Sequence, residues 1–311
     1  MNEHTTPEAA LKKHGKTFYF AQRFLGKKNG PAVARLYRFC RYIDDLADES
    51  IDPHQTTILL QRTRSELAGG QSEQKIVQDF LQLAKEWQIE VKNADDLIAG
   101  AIMDLSVTQI QNEAELVRYC YRVAGTVGQM MCPLLVAPKA GIPFAIDLGI
   151  AMQLTNIARD ILDDAKLGRR YIPAAWVNGL SADEISLLRE EDLYLLQDSV
   201  QRLLTLADSY YASARDGFIH LPYQSRLCIA IAAQTYREIG VKLLKRNCNF
   251  WQDRVYTTLL EKTWLAFQEV IKTTVAVGKG PAISHDPELH RDITHFFIYK
   301  NGGKSVAPNS I

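Results

Sequence analysis

The segment Tyr37–Glu49, YRFCRYIDDLADE, decides the fold class, because a helix sorts its residue types onto two consistent sides. At about 100° per residue, Tyr37, Arg41, Asp44 and Asp48 fall in one narrow stripe, with Leu36, Phe39, Ile43 and Leu46 opposite. A second stretch, QLTNIARDILDD at Gln153–Asp164, divides in the same way. Gln153, Asn156, Asp160, Asp163 and Asp164 share one face, and Leu154, Ile157, Ala158 and Ile161 occupy another.

Each helix therefore presents carboxylates one turn apart, flanked by amide, phenol or guanidinium groups. A solvated charged face is the plain alternative for any single DxxxD pair. Three features weigh against it. Neither stripe carries a lysine at i+4, the spacing of an ion-paired surface helix. Both include Gln, Asn or Tyr, and the device occurs twice. Like charges one turn apart are destabilising, and a divalent cation relieves them. Oxygen-only ligands point to Mg²⁺ or Mn²⁺, and Mg²⁺ completes its shell with water and substrate phosphates. Two such helices across an apolar interior suggest a long greasy substrate with a diphosphate head. Metal and arginine would assist its departure, and the apolar walls would keep water from the resulting cation.

Outward from these segments, helical periodicity runs almost everywhere. It predicts helices at roughly 7–24, 31–50, 54–68, 72–88, 94–109, 112–137, 142–166, 182–216, 223–246 and 255–277. Pro31, Pro53, Pro138, Pro173 and Pro222 fall between these stretches or in their first turns. Ser181 and Glu184 form a capping box that opens a long helix, and Pro133 predicts a kink or break within 112–137. Length alone weakly allows two domains, but no linker divides the chain before about residue 278. The expectation is one all-α domain over residues 1–278 and a C-terminal tail over 279–311. The five-residue spacing of His285, His290 and His295 turns each about 140° from the last on a helix, so the tail predicts surface histidines, not a metal site.

The chain has 311 residues, 47% apolar and 23% charged, with 36 basic against 36 acidic side chains. That is globular composition, and a chain this long buries roughly 75% of its unfolded surface. Zero net charge argues against a nucleic-acid partner. The five cysteines, Cys40, Cys120, Cys132, Cys228 and Cys248, follow no metal spacing and read as small buried hydrophobes of a reducing compartment. The first fourteen residues lack a signal-peptide core. Asp147 interrupts the best candidate membrane span, around Gly141–Leu154. A cytoplasmic location is expected.

The ordered motifs resemble the squalene/phytoene synthase family of head-to-head prenyl transferases, over roughly residues 14–270. HGKTFYF (14–20) is similar to the family's HSKSF segment, with Gly15 and Thr17 in place of its serines. YRFCRYIDDLAD (37–48) matches the first aspartate-rich motif, YCYRVAGTVG (119–128) the central one, and QLTNIARDILDDAKLGRRYIP (153–173) the second signature with its flap. YREIGVK (236–242) and DRVYTTLLEK (253–262) resemble the C-terminal blocks.

The resemblance implies an isoprenoid-synthase-type bundle around a central apolar cavity. Asp44 and Asp48 would hold one Mg²⁺-diphosphate and Asp160 and Asp164 the other; Arg41, Arg159 and Arg254 would contact phosphate oxygens. Tyr37, Tyr121, Gln153, Asn156 and Tyr236 would line the reaction centre. Arg169, Arg170 and Tyr171, directly after the second acidic helix, would fold over its diphosphate as a lid, although a fixed surface turn fits equally well. Thr17 could keep a hydroxyl–phosphate contact. Phe18 and Gln22, one turn apart, would face the cavity, with Gln22 leaving room for a C20 chain where C30 synthases can carry a bulky aromatic.

The implied reaction condenses two geranylgeranyl diphosphates through prephytoene diphosphate to phytoene, without NADPH. No GxGxxG fingerprint is present. A membrane surface could receive the product; no obligate protein partner is evident. The runner-up is a C30 synthase acting on farnesyl diphosphate and making squalene, dehydrosqualene or hydroxysqualene. Asp44–Asp48 also spells the DDxxD of head-to-tail synthases, and a non-catalytic scaffold of the same fold is a third reading.

Overall fold

In the computed structural model, the described residues are 6–7, 16–21, 25–106, 108–275 and 284–296; the side chains of 16–18 and 273–275 fall outside that description. Gln22 lies outside the described residues, as do most of the predicted first helix and the end of the tail. The helices are α1 Lys16–Ala21, α2 Gly26–Asp48, α3 Pro53–Gly69, α4 Lys75–Trp87, α5 Val91–Met103, α6 Glu113–Cys120, α7 Thr126–Leu134, α8 Ile142–Lys166, α9 Ala182–Ser186, α10 Glu190–Asp216, α11 Tyr223–Lys245 and α12 Leu259–Val275. A π-helical turn, Tyr121–Gly125, joins α6 to α7. The fold is all-α: among the described residues the only β-type pairing is an isolated parallel bridge, Gln109 with Arg170.

Local chemistry explains the boundaries. α2 starts at Gly26, whose φ of 75° suits glycine. Asp52 ends the next turn by accepting from the His54 and Gln55 amides, with Pro53 opening α3. Gly168, again with φ 75°, closes the loop after α8.

Two predicted long helices are broken. The Ser181–Glu184 capping box forms, but α9 lasts five residues. Leu188 adopts φ 48°, and Glu190, Glu191 and Asp192 supply a fresh acidic first turn for α10. The 112–137 stretch is interrupted at the π turn, while Pro133 sits in the last turns of α7.

α8 is the central post, with α7, α10 and α11 packed around it. Its Leu154, Ile157, Ala158 and Ile161 are buried, as are Leu36, Phe39 and Ile43 of α2. Phe39 stacks on Phe80 of α4 at 3.9 Å between ring centroids. α7 and α8 touch backbone to backbone. A Cβ on Gly128 would lie 2.1 Å from the Ala145 carbonyl oxygen, and one on Gly149 would lie 2.3 Å from that of Ala124.

Contrary to the sequence expectation, one helix, Lys139–Lys166, is long and apolar enough to cross a membrane by length and composition. Yet 61% of its most apolar window is buried inside the bundle, which explains that hydropathy as core packing. The surface expectation for His285 and His290 is also corrected. His290 is 2% exposed, and both rings bond Asp147 of α8; His295 is exposed. The five-residue spacing misled because residues 287–290 and 294–296 form 3₁₀ turns separated by irregular backbone. All five cysteines are free, four of them buried.

Candidate active site

α2 and α8 converge on the mouth of a cavity of about 800 Å³, within the range of small-molecule sites. Val33, Leu36, Val127, Met131, Leu148 and Met152 contribute apolar wall. Of the residues expected at the site, Tyr37, Arg41, Asp44, Gln153, Asn156, Arg159, Tyr236 and Arg254 line it. Asp160 joins it only through Arg159 and Arg254, and Asp48 lies outside its lining. Asp164 lines a small separate pocket with Arg169, Arg170 and Tyr171.

The carboxylates meet arginines. Arg41 bonds Asp44 at 2.7 Å and the inward-turned, buried Asp45 at 2.5 Å. Arg159 holds Asp160 through both carboxylate oxygens, and Arg254 reaches the same carboxylate at 2.9 and 3.1 Å. Arg169, in the loop after α8, donates to Asp48 at 2.7 Å and to the Ala47 carbonyl at 3.3 Å. It therefore ties the two acidic helices together across the mouth. Asp163 is exposed and is not the partner of Arg159.

Three sequence assignments change. Arg170 does not reach toward a diphosphate: it is 3% exposed, and its guanidinium donates to the Ile110 and Ile172 carbonyls. Backbone bonds from Arg170 to Thr108 and from Ile110 to Arg170 pin this segment as a turn, and Arg169 is the arginine of the pair that reaches α2. Tyr171 is buried, stacks on Tyr119 at 4.7 Å, and lines a small pocket with Asp164 and Arg169. Tyr121 does not line the cavity: it stacks on Phe296 at 5.1 Å, about 200° around the helix from Tyr119. Tyr119 lines the cavity in its place. Thr17 and Phe18 lie in α1, but their side chains fall outside the described set.

Sequence reasoning missed Asp104. It caps α5, lines the cavity, and accepts from Tyr171 at 2.7 Å and Tyr119 at 2.9 Å. Its signal was a single acid closing an otherwise apolar helix end, AIMD.

Electrostatics shows how crowded these acids are. Burial pushes the Asp164 carboxyl up to about 8, helped by Asp160, Asp104 and Asp48 and opposed by Arg169. Burial likewise pushes Asp44 up to about 7, with Asp48 adding and Arg41 opposing. Asp44 is 56% accessible, on the cavity it lines, so water screens part of that push. Burial lifts Asp104 to about 6 against the two tyrosine hydrogen bonds and Arg169. The donor set fits a hard divalent cation. It is all oxygen, holds no Cys or His ligand, and carries negative charge that its arginines only partly offset.

These shifts predict an inverted pH–stability relation for the cation-free protein. The folded acids bind protons up to about 6–8, whereas unfolded aspartates release theirs near 4. The folded state thus holds more protons across that window, and stability falls as pH rises through it. The thermal midpoint should be lower at pH 8 than at pH 6, and Asp164→Asn should flatten the slope. A midpoint that rises with pH in the wild type would contradict the crowding.

A family model described as squalene/phytoene synthase matches residues 11–261. The chain is 36% identical over 263 residues to a 15-cis-phytoene synthase of Pantoea ananas, covering 80% of this chain and 85% of that protein. It is 30% identical over 265 residues to a 4,4'-diapophytoene synthase of Staphylococcus haemolyticus, covering 81% and 90%. Among solved structures, a dehydrosqualene synthase in complex with ligand superposes with a TM-score of 0.78 at 26% identity, covering 86% of this chain and 95% of that one. The matched span takes in both acidic helices, their arginines and the cavity between them, and the chain belongs to the squalene/phytoene synthase family.

Proposed function

We propose that this chain is a phytoene synthase that condenses two geranylgeranyl diphosphates head-to-head in carotenoid biosynthesis. The observation that carries the reading is a mouth of paired aspartates and four arginines opening directly into an apolar cavity of about 800 Å³. The relatives named 15-cis-phytoene synthase support the C20 donor.

Asp44, Asp48, Asp160 and Asp164 would hold Mg²⁺ or Mn²⁺, which when bound neutralises diphosphate charge and eases its departure. Arg41, Arg159, Arg169 and Arg254 would grip phosphate oxygens with forked donors. Tyr37, Gln153, Asn156 and Tyr236 would line the reacting carbons, and Asp104 would fix the Tyr119 and Tyr171 hydroxyls beside them. The apolar wall excludes water. The cation formed by loss of the first diphosphate would be attacked by the double bond of the second donor, closing the cyclopropane with loss of one proton. The second diphosphate then leaves, the cation rearranges, and loss of a second proton gives phytoene. No reductant takes part in this scheme.

The product would leave toward a membrane surface. Supporting this, Leu260, Trp264, Phe267 and Ile271 form an exposed apolar stripe along α12 at helical spacing. The stripe starts beside Tyr256 and Thr257, which line the cavity.

The diapophytoene and dehydrosqualene synthase relatives keep a C30 product as the competing reading. Offering geranylgeranyl and farnesyl diphosphates together with Mg²⁺, with and without NADPH, separates the two. Phytoene as the main product, unchanged by NADPH, is expected. Exclusive C30 product would replace the phytoene assignment, and no diphosphate release from either donor would leave a scaffold.

A further inference from the structure

The N-terminal half of α8 is apolar except for Asp147, which is fully buried. Two imidazoles from the segment 284–296 reach this carboxylate. His290 Nε2 lies 2.7 Å from Oδ1 and His285 Nε2 lies 2.9 Å from Oδ2. Ser213 Oγ of α10 donates to Oδ2 at 2.5 Å. One ligand atom from each of Asp147, His285 and His290 falls within 4.8 Å of the others, and the side chains are 0, 11 and 2% exposed. None of the three belongs to the acidic mouth.

Burying a carboxylate and two imidazoles where apolar side chains would pack is costly without strong compensation. Two imidazole nitrogens with one carboxylate oxygen make a borderline donor set, suited to Zn²⁺ and its first-row neighbours and unlike the all-oxygen mouth. Metal–ligand bonds of about 2.0–2.2 Å place tetrahedral ligand atoms about 3.3 Å apart. Admitting an ion needs the N···O separations to open by about half an ångström and the two imidazole nitrogens, which lie within 4.8 Å of each other, to close by up to about 1.5 Å, with Ser213 or a water available as fourth ligand.

We propose that Asp147, His285 and His290 form a zinc-type site that clips the C-terminal segment 284–296 onto α8 and α10. Two of the three ligands arrive on the docking segment, so the site assembles only when the segment seats, and ion binding and docking are linked. The rest of the segment is held by modest contacts: Ile293 is buried, Tyr210 donates to the Leu289 carbonyl at 2.8 Å, and Lys92 donates to the Phe296 carbonyl at 2.9 Å. Through Phe296, which stacks on Tyr121 and lies under the Arg122 guanidinium at 4.9 Å, the clip also braces the π turn.

The test uses the full chain, stripped with a chelator and titrated with Co²⁺ and then Zn²⁺ in excess Mg²⁺, which fills oxygen-only sites. The expected result is a single equivalent of Co²⁺ with the strong visible bands of a four- or five-coordinate site, bleached by Zn²⁺. His285→Gln, at the edge of the cluster and checked for folding by circular dichroism, should lose those bands. It should also bind Zn²⁺ more weakly by a factor beyond the about 10–100-fold that an outer-shell loss costs. Asp160→Asn should retain them. Wild type that binds neither ion stoichiometrically overturns the proposal, as do bands that persist in His285→Gln or vanish in Asp160→Asn. The three side chains would then be a hydrogen-bonded latch.

Discussion

Asp160→Asn is expected to lower kcat by roughly 10²–10³, the scale of losing one charge contact to a transition state, with the fold intact. Asp160 is the most heavily engaged carboxylate of the mouth, held by Arg159 and from across the cavity by Arg254. Asparagine keeps the shape and one acceptor oxygen but removes the charge that a cation and both guanidinium groups need. Steady-state turnover at saturating Mg²⁺, with circular dichroism as the folding control, decides the matter. Near-normal turnover would remove Asp160 from the metal site. The same substitution at Asp48 should act similarly, since its carboxylate faces Arg169 over the same mouth.

The second large effect is on stability. Gly149→Ala places a methyl 2.3 Å from the Ala124 carbonyl oxygen and 2.8 Å from the Gly125 amide nitrogen. Overpacking a core costs about 1–3 kcal/mol when side chains can yield. Here the obstruction is backbone, so the cost should reach at least about 3 kcal/mol, at or above the top of that range, and the cavity wall formed by the π turn at Ala124 should shift with it. Gly69→Ala is the matched control: a Cβ there meets nothing within 4 Å, and shedding glycine's chain entropy should be neutral or stabilising by about 0.4–1 kcal/mol. Denaturant midpoints for the pair test this directly. Equal midpoints would mean that the contact between the π turn and α8 can relax.

Both acidic helices were legible because their chemistry repeats at the helical period: the faces inferred from Leu36, Phe39 and Ile43, and from Leu154, Ile157 and Ile161, are the faces that the fold buries. What stayed hidden depended on single-residue register or on distant contacts. Arg169 and Arg170 are adjacent and chemically alike; only the bridge to Gln109 sends one outward to Asp48 and the other into the backbone of residues 110 and 172. Tyr119 and Tyr121 point about 200° apart on their helix, and only the packing against Phe296 shows which of the two leaves the cavity. Asp104 carries no motif, and its importance comes from Tyr119 and Tyr171, which are 15 and 67 positions away. The helix pattern likewise placed Asp147 correctly but gave no sign that histidines 138 and 143 positions later would meet it.

The arginine–aspartate pairs at the mouth mean that each sign of charge there already serves as the other's counterion. A diphosphate arriving alone would strip Arg169 from Asp48, and Arg159 and Arg254 from Asp160, leaving carboxylates facing one another. A cation arriving alone would do the reverse and strand the guanidinium groups. When both arrive together, each paired charge can exchange one partner for another. On the proposed reading, the resting ion pairs would act as a lock that opens to a metal and a diphosphate together and resists either half by itself.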